Sequence, residues 1–173
     1  MKRPGLHGRA AAPWLVAAAL AWCTAASAQF IDIDPDWKED PTLAPPAYSA
    51  ERLIPIALPR GSSLRMGIDP DTISIGKDGV VRYVVVLRGP AAESVTYEGI
   101  RCAKAEYRVY ARRNGDEPWR QTHEDWRSMH DTSAVRYAWQ LARDGVCLGR
   151  APGNSPKAIA QALRSPRGTL YLD

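Results

Sequence analysis

Two histidines, two cysteines and a scatter of carboxylates carry most of the chemical potential of this sequence after residue 28. His123 and His130, seven apart on a helix, would share a face but lie about 10 Å apart along its axis. Zinc takes nitrogen ligands at about 2 Å, so the pair does not close on one ion, even with Asp125 and Asp131 beside it. Asp32-x-Asp34-x-Asp36 opens like a calcium loop. Pro35 interrupts it, Trp37 stands where the loop needs glycine, and Leu43 stands where a closing glutamate belongs. A solvated acidic stretch is the better reading, and no metal ligand is assigned. A Ser-His-Asp set need not be close in sequence, but the chain shows no G-x-S-x-G elbow, no Walker A string and no G-x-G-x-x-G. These residues therefore give no catalytic assignment and no cofactor.

The most suggestive local set is Tyr97-Glu98-Gly99-Ile100-Arg101-Cys102. Glu98 and Arg101, joined by Arg82 and Arg108, would line a polar patch on one sheet face. Paired arginine contacts there would suit an anionic or carbohydrate ligand. Cross-strand charge pairing on a wet face is the competing reading. Gly99 marks a bulge or a close backbone approach.

The first 28 residues differ in kind. Lys2, Arg3 and Arg9 precede an uncharged stretch, Ala10 to Ala28, centred on Trp14, Leu15, Val16, Leu20 and Trp22. It closes on Ala26-Ser27-Ala28. That order is a secretory signal peptide, with cleavage expected after Ala28 and the protein released into the periplasm. A membrane anchor is disfavoured because the stretch is alanine-rich and ends in a cleavage pattern. A lipidated Cys23 is disfavoured because Trp22 precedes it. Removing the leader leaves 20 Lys plus Arg against 19 Asp plus Glu. Such a balance gives no footprint for nucleic acid and no pull toward anionic lipid, and no stable membrane insertion is expected after cleavage.

Cys23 leaves with the leader. Cys102 and Cys147 remain, and two cysteines in an oxidising compartment most often pair. The bridge would close a loop of about 46 residues, worth roughly 4 kcal/mol in the chain-entropy picture. A reactive or metal-binding thiol pair is the alternative, against which the wide spacing lacks C-x-x-C.

The elements that must position these groups follow from pattern. Residues 29 to 60 read as an extended arm, because Pro35, Pro41, Pro45, Pro46, Pro55 and Pro59 recur too often for a helix or central strand. Phe30, Trp37 and Leu43 would pin it to the domain. Strands are predicted at 64–68, 72–75, 80–88 and 94–102, with an Asp78-Gly79 turn. Residues 104–112 alternate, placing Ala105, Tyr107, Val109 and Ala111 on a buried face opposite Lys104, Glu106, Arg108 and Arg112. Asn114-Gly115 predicts a hairpin to a strand at 118–122. A helix is expected over 133–144, capped by Asp131 or Thr132, burying Val135, Ala138, Trp139 and Ala142 and stopping at Gly145. A second begins at Ser155-Pro156, burying Ile159, Ala162 and Leu163. Residues 169–172 read as a last edge strand. Trp119 and Trp126 would cover the sheet edge. Strands before helices predict an α+β domain over 61–173, an antiparallel sheet of five to six strands with two C-terminal helices on one face.

The strings Asp78-Gly79-Val80-Val81-Arg82-Tyr83 and Tyr97-Glu98-Gly99-Ile100-Arg101-Cys102, with Tyr110-Ala111, Trp119, Trp126 and Cys147, resemble the CNP1-like family of small exported proteins of Gram-negative bacteria. The resemblance spans about residues 36–165. It implies export and the cysteine pair, and it carries over no catalytic residue. The expectation is a non-enzymatic binding or interaction protein of the cell envelope, its partner an envelope protein or small ligand. The alternative is an envelope enzyme, such as a hydrolase, with a dispersed site.

Overall fold

The computed structural model describes residues 34–42, 44–58, 61–131 and 136–165, all within the unit Asp32–Asp173. The leader, Phe30, Leu43, Thr132, Val135 and the expected strand at 169–172 lie outside the described residues.

Eight strands form one antiparallel sheet: β1 (Ile54–Ile56), β2 (Arg65–Ile68), β3 (Ser74–Ile75), β4 (Val80–Arg88), β5 (Glu93–Arg101), β6 (Glu106–Asn114), β7 (Arg120–Gln121) and β8 (Arg127–Ser128). The spatial order is β1-β2-β4-β5-β6-β7, with β3 also on β4 and β8 also on β6. The number exceeds the expected five to six because β1, with its central proline, and the two-residue β8 are too short to leave a periodic trace, whereas β3 and β7 fall within the strands expected at 72–75 and 118–122. β1 comes from the proline-rich arm, where Pro55 is tolerated because the strand lies at the sheet edge. The helical part follows: α1 (Arg136–Leu141), a wide turn over Ala142–Val146, a hairpin of β9 (Cys147–Leu148) and β10 (Ala151–Pro152), and α2 (Pro156–Arg164). The fold is α+β.

β4 reads Val80-Val81-Arg82-Tyr83-Val84-Val85-Val86 without alternation, and all seven residues are buried. Such a run belongs to a strand covered on both faces. Val81, Tyr83 and Val85, with Ile100, Tyr107 and Val109, pack against Ala138, Leu141, Val146, Ile159 and Leu163 of the helical layer. Val84 and Val86, with Val95, Tyr97, Tyr110 and Ala111, pack on the other face beneath Tyr48, Leu53, Trp119 and Trp126. The face expected to be wet is therefore covered by the arm.

The alternation expected along β6 breaks once. Tyr97 stands opposite Ala111 while Glu98 stands opposite Val109, so Tyr110 is the extra residue of a β-bulge. The bulge turns Ala111 onto the arm face, away from Tyr107 and Val109. A single inserted residue reverses every later side chain.

α2 matches its signals. The Ser155 hydroxyl accepts a hydrogen bond from the Ala158 N–H at 3.1 Å, and Pro156 opens the first turn. Ile159, Ala160 and Leu163 are buried, while Ala162 is half-buried. A side chain at Gly145 (φ 142°) would collide with Ala162, so glycine lets the turn after α1 press against α2. The α1 stripe is rotated from expectation. Ala138, Leu141 and Ala142 are buried, whereas Trp139 is 36% exposed and stacks on His130 with ring centroids 4.6 Å apart. The helix widens after Leu141, and Tyr137 takes the inward place beside Glu98. Cys102 and Cys147 form a disulfide with Cα atoms 5.7 Å apart, tying the end of β5 to β9.

Candidate functional site

The register of the sheet sets Arg82 of β4, Gly99 of β5 and Arg108 of β6 in one cross-strand row, with Arg101 and Glu106 paired in the next. Three of the four expected patch residues, Arg82, Arg101 and Arg108, thus share the arm face. Glu98 does not. One residue along β5 inverts the side chain, and Glu98 points into the helical layer, 1% exposed.

The arginine face already holds carboxylates of the protein itself. Glu39 lies over the row. One oxygen accepts from the Tyr110 hydroxyl at 2.6 Å and stands 3.6 Å from Arg82 Nη2. The other accepts from Arg108 Nη1 at 2.8 Å and from the Trp126 indole at 3.2 Å. Asp78, its side chain fully buried, accepts from both terminal nitrogens of Arg82, at 3.2 and 2.6 Å. Its other oxygen bonds are from the backbone N–H groups of Val80 and Asp40. Burial works to raise the Asp78 carboxyl, but the Arg82 guanidinium and those two N–H groups outweigh it and hold the group below its ordinary value. The same pairing raises Arg82 despite its own burial. Asp40 closes a loop of bonds by accepting from the Asp78 N–H at 3.2 Å.

Aromatic residues frame this network. The Trp37 indole donates to the Asp78 carbonyl at 2.8 Å, and its ring lies 3.5 Å from the Arg101 guanidinium carbon. Trp126 meets Trp37 and Tyr110 edge-on, at 6.2 and 6.4 Å between centroids. Burial and the hydrogen bond to Glu39 both push the Tyr110 hydroxyl well above its ordinary value, so it serves as a donor. The stretch expected to be a solvated acidic arm is thus divided. Asp34 and Asp36 are exposed, while Glu39 and Asp40 are docked.

Glu98 forms a separate buried cluster. One oxygen accepts from the hydroxyls of Thr96 and Tyr137, both at 2.6 Å. The other oxygen and the Tyr83 hydroxyl have no partner among the described residues. Burial raises the Glu98 carboxyl against the opposing effect of the Thr96 and Tyr137 bonds. Glu98 lines neither cavity described below.

Next to residues 34–42, the strap that carries Trp37, Glu39 and Asp40, the residues Pro45, Pro46, Tyr48 and Ala50 face Arg113 and Trp119 across an open groove of about 440 Å³. Tyr48 and Trp119 meet edge-to-face at 6.3 Å, and Arg113 lies 5.6 Å from the Tyr48 ring centre. A small cleft of about 70 Å³ lies between β1 and the helices, lined by Ile54, Ile56, Ile68, Leu141 and Leu163 together with the polar Gln140 and Asp144. His123 lies in irregular chain between β7 and β8 and His130 in the turn after β8, rather than on one helix, and both are exposed. Among the described residues no group of His, Cys, Asp and Glu gathers to hold a metal.

Sequence reading missed Glu39, Asp40, Asp78, Tyr110 and Trp126 as partners of the arginines. The available signal was Trp37-x-Glu39-Asp40, an aromatic residue beside two carboxylates within an arm too proline-rich to fold alone.

A family model described as the CNP1-like family matches residues 32–164, which include the strap, the arginine row and both cysteines of the bridge. Neither curated proteins nor solved structures gave a match to the chain.

Proposed function

The chain belongs to the CNP1-like family, and from that premise we propose that it is exported to the periplasm, loses residues 1–28, and acts in the cell envelope by binding a partner or small ligand rather than by transforming one. The mature chain then begins at Gln29, with the arm 29–60 leading into the domain 61–173. Export is supported by the charged start, apolar centre and Ala26-Ser27-Ala28 ending of the leader. It is also supported by the Cys102–Cys147 bridge, since disulfides persist in oxidising compartments. Among the described residues no helix is long and apolar enough to cross a membrane. The near balance of charge after residue 28 speaks against a nucleic-acid partner.

The groove of Tyr48, Trp119, Arg113 and the Pro45-Pro46 wall is the observation that carries the binding reading. Its lining offers stacking faces, a guanidinium and stiff backbone, the means of recognition. A bound group there would meet no histidine, carboxylate or thiol of the lining. The test has two arms. The periplasmic protein should start at Gln29, and an uncleaved chain in the cytosol would overturn export. The mature chain, used as bait in periplasmic extract, should retain a species that Trp119→Ala releases at unchanged fold. Conversion of that species to a product would overturn the binding role.

A further inference from the structure

We propose that the cluster of Arg82, Arg108, Tyr110 and Trp126 is a recognition site for an acidic, tryptophan-bearing segment of a partner protein, and that residues 37–40 fill it in the free chain as a built-in substitute. This rests on the binding reading above and gives it a second surface with a defined partner chemistry.

The contacts at Glu39 are those of a carboxylate receptor. Its oxygens meet an O–H, an indole N–H and a guanidinium N–H, drawn from β6 and from the loop before β8. Donors of three kinds converging on one carboxylate specify position as well as charge. The aromatic part is specified as firmly, since the Trp37 ring has the Arg101 guanidinium on its face and Trp126 at its edge.

The strap is held as a ligand is held. Residues 34–42 contain no strand and pair with no sheet edge. They are gripped through Trp37, Glu39 and the Asp40–Asp78 bonds. The same side chains on another chain would make the same contacts. The site also has donors to spare. The Nε groups of Arg82, Arg101 and Arg108 are buried beneath the strap without a partner among the described residues, and the Arg82 side chain is only 7% exposed. Buried unpaired N–H groups cost stability, so a segment with one more acceptor would bind better than the strap does. A tethered substitute competes at an effective concentration in the millimolar range, which keeps the site closed to weak competitors. The groove at Tyr48 and Trp119 adjoins the strap in sequence, so one partner would reach both.

The probe is a fluorescent peptide with the sequence of residues 34–42. Its anisotropy is measured against the mature chain, residues 29–173, and against the same chain carrying Trp37→Ala and Glu39→Gln. Emptying the site should tighten peptide binding about tenfold or more. Adding Arg108→Ala, or replacing glutamate by glutamine in the peptide, should abolish the gain. A folded double variant that binds the peptide no better than the parent overturns the proposal. Should the variant not fold, the parent labelled with 5-fluorotryptophan decides. Millimolar peptide must move the Trp37 resonance while the glutamine peptide does not, and an unmoved resonance overturns the proposal. Capture that depends on Trp119 would stand in either case, so failure of this inference is distinct from failure of the binding role.

Discussion

Tyr110 occupies the space that a side chain on Gly99 would need. A Cβ at Gly99 would lie 2.8 Å from both Cε2 and the hydroxyl oxygen of Tyr110, and 2.9 Å from Val80 Cγ1. The glycine in the row Arg82–Gly99–Arg108 thus makes room for the hydroxyl that binds Glu39. Strand parity with Arg108 sets the Tyr110 ring on that face, and the β-bulge keeps Ala111 there beside it.

Gly99→Ala should therefore act at a distance from its own backbone. The added methyl cannot be absorbed by Val80, which is fully buried, so Tyr110 must move away from Glu39. Overpacking of this kind costs about 1–3 kcal/mol. Beyond the lower melting temperature, the strap should loosen, read as faster proteolysis within residues 34–42. Loss of stability with unchanged cleavage of the strap would show that Tyr110 does not hold it.

Asp78→Asn tests the ion pair under the strap. Arg82 would be left buried with its nearest charge Glu39, at 3.6 Å. Removing one partner of a buried pair costs about 3–5 kcal/mol. The folded carboxyl lies below its unfolded value, near 3.8. Its contribution is thus present above that pH and lost as pH falls through the folded value. The gap between parent and variant melting temperatures should be full at pH 7 and shrink below pH 4, in the range where the unfolded carboxyl protonates. A gap independent of pH would mean that packing, not charge, is what the variant loses.

The outline of the fold was legible in the sequence where periodicity and punctuation were strong. β4, β5, the Asn114-Gly115 turn and the Ser155-Pro156 start of α2 lie where pattern placed them. The bulge at Tyr110 was not legible, because Tyr-Ala alternation continues unbroken through it and only the partner strand reveals the extra residue. Trp139 was placed inside on a stripe with Ala138 and Ala142, but the buried set is Ala138, Leu141 and Ala142, which leaves Trp139 at the edge of that stripe. The arginine face was recognised in part. Its three basic members follow from strand parity, while Glu98, adjacent in sequence to Gly99, falls on the opposite face by that same parity. Glu39 and Asp78 were hidden because their link spans the unpatterned arm, and long-range pairing of irregular chain leaves no periodic signal.

The disulfide carries a direct expectation. Cys102→Ser or Cys147→Ser should lower stability by about 2–5 kcal/mol, the usual range for a small secreted domain. β9 and the turn after α1 should lose order first, because Cys147 anchors them to β5. Melting temperatures equal with and without reductant would refute a stabilising bridge.

Glu98→Gln should stabilise the protein, and the sign depends on pH. The folded carboxyl is raised by burial above its unfolded value, near 4.5. The folded state therefore holds the proton more tightly, and stability falls as pH rises from the unfolded value through the folded one. Above that window the chain carries a buried carboxylate with one oxygen unpartnered among the described residues. Glutamine keeps an acceptor for Thr96 and Tyr137 and removes the negative charge from the buried, unpartnered second oxygen. A buried charge without a partner costs more than a buried neutral amide without one, so the variant should be the more stable at pH 8, by about 1 kcal/mol or more. At pH 4 the parent is protonated and the two proteins should melt together. Thermal unfolding at both pH values checks this, and a Glu98→Gln protein less stable than the parent at pH 8 would show that the carboxylate is being paid for by a partner the substitution removes.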